Sequence, residues 1–150
     1  QQQRVWDFLS DAQTAHIPIV AQGSVVDEAP DTGFYQAPVL LADVPVDHRI
    51  AQEEVFGPVL CVLPYETFDE ALAMASDHQF GLASVLYTEN YRHVMQAGNE
   101  IEAGELYINR TPADPYQGYH AGWKRSGLGG DDGKHGMLEF TQTRLVVMPY

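Results

Sequence analysis

An α/β fold with a three-layer, mostly parallel sheet is what this 150-residue sequence predicts, on three observations. From residue 58 to residue 108 the patterns run strand, helix, strand, helix, strand, the order that lays helices over parallel strands. Inside that stretch Pro58-Val59-Leu60-Cys61-Val62-Leu63 is an unbroken apolar run, the mark of a strand buried on both faces. The helix after it carries its own start signal: Thr67 can cap it, and Glu70, three residues on, completes a capping box.

The remaining elements follow in order. Val5, Phe8, Leu9 and Ala12 recur at helical spacing, so residues 4–15 read as an amphipathic helix. Residues 17–21 read as a short strand stopped by Gly23, 27–37 as a loop rich in Asp, Glu, Pro and Gly, and 38–41 as extended structure. In the capped helix Phe68, Ala71, Leu72 and Ala75 form the inner face, and Gly81 lies just past its end. Residues 84–87 are a strand, and Asn90 caps a second helix with Tyr91, Val94, Met95 and Gly98 on one side. Residues 105–108 are the next strand. Seven of the 13 glycines then fall between 118 and 136, followed by a short helix over 135–140. A last apolar strand, Leu145-Val146-Val147-Met148, needs a pairing partner. No internal repeat occurs, and no linker divides the chain.

Composition narrows the function. Eight Lys plus Arg against 21 Asp plus Glu give a formal net charge of -13, which repels phosphate backbones and anionic lipid. Neither a nucleic-acid partner nor a membrane partner is therefore expected. A single cysteine, Cys61, excludes an internal disulfide and fits a reducing, cytoplasmic setting. No apolar run is long enough to span a bilayer. Gln1-Gln2-Gln3-Arg4 shows neither an initiator Met nor a signal-peptide design and runs straight into a helical pattern, so a piece of a longer protein is expected.

Tested by their chemistry, several motifs fail. Gly127-Leu128-Gly129 begins a dinucleotide fingerprint, but the third glycine position holds Asp132. Gly133-Lys134 is followed by His135 rather than the Ser or Thr of a P-loop. None of the six histidines is spaced i, i+4 on a helix, so no metal site is expected. Glu53 and Glu54 are adjacent in extended structure and point to opposite faces, so at most one of them faces a site. On residue chemistry alone Glu54 reads as a solvated loop carboxylate. Cys61, surrounded by Val59, Leu60, Val62 and Leu63, reads as a core residue with a suppressed thiolate rather than a nucleophile. His120 sits in the glycine-bounded segment after Tyr119, where a surface or packing role is the plain reading.

Four segments, in this order and spacing, resemble the NAD(P)-dependent aldehyde dehydrogenases. Glu53 to Val59 is similar to the family's E-E-(I/V)-F-G-P-V segment, and Phe80-Gly81-Leu82-Ala83-Ser84 to its Y-G-L entry into a strand. Gly104 to Asn109 is similar to G-x-x-x-I-N, and Gly122 to Gly129 to G-G-x-K-x-S-G-x-G. Gly118-Tyr119-His120-Ala121-Gly122-Trp123 and Gly133-Lys134-His135-Gly136 most resemble the lactaldehyde and glycolaldehyde dehydrogenase branch.

That resemblance changes two readings. It makes Glu54 the acceptor for the nicotinamide ribose hydroxyls and Phe56 the aromatic beside the nicotinamide ring, with NAD as cofactor and NADP not excluded. His120 stands where most of the family has an aromatic pocket residue. An imidazole can hydrogen-bond a substrate hydroxyl and a phenyl ring cannot, which points to a small hydroxylated aldehyde. The resemblance further implies that the catalytic cysteine, which would carry the thiohemiacetal and thioester, lies upstream, so no catalytic residue is expected here and the chain alone would be inactive. Residues 1–140 would be the C-terminal part of the catalytic domain, and 141–150 an oligomerisation strand that makes the enzyme a homo-oligomer. Two other readings stay open: a standalone, non-catalytic oligomerisation or binding module, and a succinate semialdehyde-type enzyme.

Overall fold

Val5, Phe8 and Ala12 are spaced to share one helical face, and the first helix, α1 (Gln2–Thr14), buries all three. The computed structural model describes residues 1–30 and 32–150, and the chain divides into two compact units, Gln1–Glu66 and Thr67–Tyr150.

In the first unit α1 is followed by β1 (Ile19–Gln22), β2 (Val39–Leu41), a one-turn helix α2 (Arg49–Gln52) and β3 (Val59–Cys61). The loop expected over 27–37 carries no helix or strand at its described positions, and position 31 lies outside the described residues. β2 pairs antiparallel with β1 and parallel with β3. The core joins Val5, Phe8 and Ala12 to Ile17, Val39, Leu41, Val44, Ile50 and Val55. Phe8 and Leu41 are fully buried, each worth about 1.5–3 kcal/mol relative to exposure. The guanidinium groups of Arg4 and Arg49 lie 4.8 and 4.1 Å from the centre of the Phe8 ring.

The second unit runs α3 (Phe68–Ser76), β4 (Phe80–Gly81), β5 (Ala83–Leu86), α4 (Tyr91–Glu100), β6 (Glu105–Ile108), β7 (His120–Ala121), β8 (Trp123–Lys124), β9 (Gly130–Asp131) and α5 (Gly133–Glu139). Thr67 caps α3 as its sequence demands, its side chain accepting from the Glu70 amide at 3.2 Å. Asn90 caps α4 in the same way through the Arg92 amide. β5, α4 and β6 form a parallel crossover unit, with Ala83 opposite Glu105 and Leu86 opposite Ile108. Leu72, Ala97 and Ile101 form its small core, with Phe68, Leu86, Ala103 and Leu106 packed around them.

The α/β character is as expected, but the sheet is not one parallel layer. Among the described residues the strands form four small sheets, and of their five ladders those of β2 with β3 and β5 with β6 are parallel. The run at 58–63 is not buried on both faces. Val59, Cys61 and Leu63 pack on the core, while Leu60 and Val62 are 63% and 45% exposed, because alternate strand residues point to opposite faces and only one face is covered. Ala75 is exposed rather than inward. The inner face of α4 is carried by His93, Val94, Ala97 and Ile101, with Tyr91 and Met95 outside. Leu145 to Met148, expected as a strand, carry neither strand nor helix and are exposed, with no described residue paired to them.

Candidate functional site

Glu54 and Phe56 lie between α2 and β3, at the amino end of β3. Buried Val55 anchors the segment, so the exposed residues on either side of it are Glu54 and Phe56. Main-chain oxygens tie the segment to α1. The Gln1 side-chain amide donates to the carbonyls of Val55 and Phe56, at 3.1 and 2.9 Å, and Arg4 donates to that of Glu54 at 2.8 Å. Among the described residues the Glu54 carboxylate itself has no hydrogen-bond or ion-pair partner, whereas Glu53 pairs with Arg49 and Arg4. The two adjacent carboxylates thus divide, one spent on structure and one available.

Phe56 is 70% exposed and holds a φ of 58°, the left-handed region, which costs a non-glycine residue about 1–2 kcal/mol. The anchored carbonyls and buried Val55 keep it there, so the ring is presented from a strained backbone. Next to it, Gly57 and Pro58 join Pro38, Val39, Val59 and Leu60 in lining an apolar hollow of about 430 Å³.

In the second unit β7 carries His120, and its imidazole Nδ1 hydrogen-bonds Oε1 of Glu105 on β6. Asp114 Oδ2 stands 3.7 Å from the same nitrogen. Glu105 Oε2 accepts from the Tyr107 hydroxyl at 3.0 Å. Positions 105 and 107 alternate onto one face of β6, which lets both donors reach one carboxylate. The hydrogen bond to Glu105, and then its charge, raise the His120 pKa above the ordinary histidine value, and Asp114 and Asp132 add to the shift. A pocket of about 200 Å³ is lined by His120, Glu105, Tyr107, Asp114 and Tyr119. Glu105, Asp114 and His120 each offer one ligand atom within 4.8 Å of the others, but Glu105 and His120 use theirs on each other.

Of the three residues singled out in the sequence, Glu54 and Phe56 are two positions apart in one loop, and His120 is in the other unit. Glu105, Tyr107 and Asp114 were missed. Cys61 keeps its core reading: its thiol donates to the Ile50 carbonyl at 3.7 Å, and burial pushes its pKa up. The segment from Trp123 to Ser126 is structural. Lys124 ion-pairs with Glu102 and donates to the His78 carbonyl, and the Ser126 hydroxyl accepts from the Gly81 amide at 2.9 Å. Among the described residues no helix is long and apolar enough to cross a membrane.

The aldehyde dehydrogenase family model matches residues 1–146. Lactaldehyde dehydrogenase of Escherichia coli (strain K12) is 47% identical over 116 residues, 77% of this chain and 24% of the relative. The 3,6-anhydro-alpha-L-galactose dehydrogenase of Vibrio sp. (strain EJY3) is 39% identical over 112 residues, 75% of this chain and 23% of the relative. The crystal structure of lactaldehyde dehydrogenase from Escherichia coli matches with a TM-score of 0.89 and 41% identity, over 97% of this chain and 30% of that one. A Mycobacterium tuberculosis aldehyde dehydrogenase complexed with NAD+ matches with a TM-score of 0.90 and 34% identity, over 99% and 30%. The chain spans less than a third of the length of each of these proteins.

Proposed function

The chain belongs to the aldehyde dehydrogenase family, and from that premise we propose that it is the C-terminal part of an enzyme oxidising a small hydroxylated aldehyde to its carboxylate with NAD(P). Residues 1–140 belong to the catalytic domain, and 141–150 are the strand that joins subunits in a cytoplasmic homo-oligomer. The uncovered apolar face at Leu60 and Val62 and the exposed run at 145–148 support a larger assembly that covers them. The three-layer, mostly parallel sheet expected from the sequence belongs to that larger assembly in our reading.

The observation that carries the reading is the Glu54 carboxylate, left without a partner beside a ring held out from the surface. An acceptor-only carboxylate suits a ribose diol, which offers two hydroxyl donors. Glu54 and Phe56 would therefore hold the nicotinamide riboside, and the bound cofactor would supply the hydride acceptor that the oxidation needs. Cys61 packs on the core with its thiol turned to the Ile50 carbonyl, so we place the nucleophile outside these 150 residues. His120 offers the aldehyde a hydrogen-bonding ring in a pocket that Glu105 and Asp114 also line, matched to a hydroxyl near the carbonyl.

In the full-length enzyme, Glu54→Gln is expected to lower the rate of NADH formation and raise the KM for NAD, together by roughly tenfold or more in kcat/KM. Stopped-flow absorbance on glycolaldehyde measures both. Unchanged cofactor KM and hydride-transfer rate would reject the ribose role.

A further inference from the structure

Resting on the reading of His120 as a substrate contact, we propose that Glu105 is the positioning residue of that subsite. It holds the ring hydrogen on Nδ1, so that Nε2 is offered to the substrate and selects an aldehyde bearing a neutral hydroxyl over one bearing a carboxylate.

The geometry supplies each step. An ionised carboxylate only accepts hydrogen bonds, so the Nδ1 facing Glu105 Oε1 must carry the hydrogen. The Glu105 side chain is 11% exposed against 40% for His120, and the Tyr107 hydroxyl engages its other oxygen, so the carboxylate is a fixed anchor and the ring the accessible partner. Nε2 has no partner among the described residues, and the ring lines the 200 Å³ pocket. With Nδ1 committed, titration occurs at Nε2, an N–H donor when the ring is charged and a bare acceptor when it is neutral.

A hydroxyl satisfies both states, accepting from one and donating to the other. A carboxylate only accepts, so it loses its partner when the ring becomes neutral. In either state it also meets the negative charges of Glu105 and Asp114 at the pocket wall. The charged groups around the ring are Glu105 from β6, Asp114 from the loop before β7 and Asp132 just before α5, all acidic. They keep the ring charged to a higher pH than a free histidine, and Nε2 changes from donor to acceptor as pH rises through that raised value.

The test compares kcat/KM for glycolaldehyde and succinate semialdehyde in the full-length enzyme from about pH 6 to about pH 9. The ratio is expected to rise with pH through the KM of the semialdehyde. In Glu105→Gln the inflection should move to lower pH, and above the wild-type inflection the ratio should fall by roughly tenfold because one charge repelling the semialdehyde carboxylate is gone, with KM changing more than kcat. Tyr107→Phe, which removes one anchor of the carboxylate and no charge, should move the inflection the same way by less, and it serves if Glu105→Gln does not fold. An unmoved inflection with an unchanged ratio in the variant that folds overturns the positioning role. His120→Phe separates the two readings. If it abolishes the preference while the position-105 and position-107 variants do not alter it, only the role of Glu105 falls; if it also leaves the preference intact, the His120 subsite falls with it.

Discussion

Replacing His120 with Phe in the full-length enzyme is expected to lower kcat/KM on glycolaldehyde by roughly tenfold or more, and to leave kcat/KM on propanal within about twofold. The difference follows from hydrogen-bond inventory. A phenyl ring fills much of the imidazole's space but offers neither donor nor acceptor, so the substrate hydroxyl loses its partner inside the pocket. Propanal has no hydroxyl and loses nothing of that kind. One consequence must be separated from this. His120 is also a donor to Glu105, and removing it leaves a mostly buried carboxylate on the Tyr107 hydroxyl alone, at a stability cost of about 1–3 kcal/mol. His120→Asn makes the separation. Its side-chain amide can donate to Glu105 as Nδ1 does, but nothing replaces Nε2. Loss of the glycolaldehyde preference in both variants, with stability lost mainly in His120→Phe, is the expected pattern. Equal losses on both aldehydes would reject the hydroxyl contact.

Where local chemistry decided the outcome, the sequence was readable. The 3.6-residue spacing of Val5, Phe8 and Ala12 and the capping residues Thr67 and Asn90 each produced the element they imply. Parallel pairing was legible at β5 and β6, where a helix fills the crossover. It was not legible that the apolar run at 58–63 covers one face only, because the same residues suit a strand with two covered faces. The left-handed backbone at Phe56 gave no signal, since glycine, the usual marker of that conformation, is absent from the position. At the His120 site the limit was distance. Glu105 and His120 are 15 residues apart across an irregular loop, and no local pattern joins them. The alternation that puts Glu105 and Tyr107 on one face of β6 was available, and it would have marked the carboxylate as an anchored one.

The approach of β7 to β6 depends on a missing side chain, and Gly104→Ala is expected to destabilise the fold by about 1–3 kcal/mol or more. A Cβ at Gly104 would overlap the carbonyl oxygen of Ala121 and come within 2.8 Å of its carbonyl carbon. That obstacle is backbone, which cannot rotate away as a side chain can, so β7 must move as a strand. Ala121 follows His120 and Gly104 precedes Glu105, so the displacement falls on the imidazole–carboxylate pair itself. The variant should therefore lose part of the pair as well as stability, and the His120 pKa should fall back toward its ordinary value. Sign matters here. A histidine whose folded pKa is raised contributes stability below its unfolded value and loses that contribution as pH rises through the folded one. The stability gap between wild type and Gly104→Ala should then narrow as pH rises through that value. Gly98→Ala is the contrasting case. Gly98 lies in α4 with open space where its Cβ would stand, so alanine there should stabilise by about 0.5–1 kcal/mol. Urea unfolding of the two variants beside wild type, at a pH below and a pH above the His120 titration, measures both signs. A Gly104→Ala protein as stable as wild type would mean that β7 can yield without cost, and the close approach would then not be what holds His120 against Glu105.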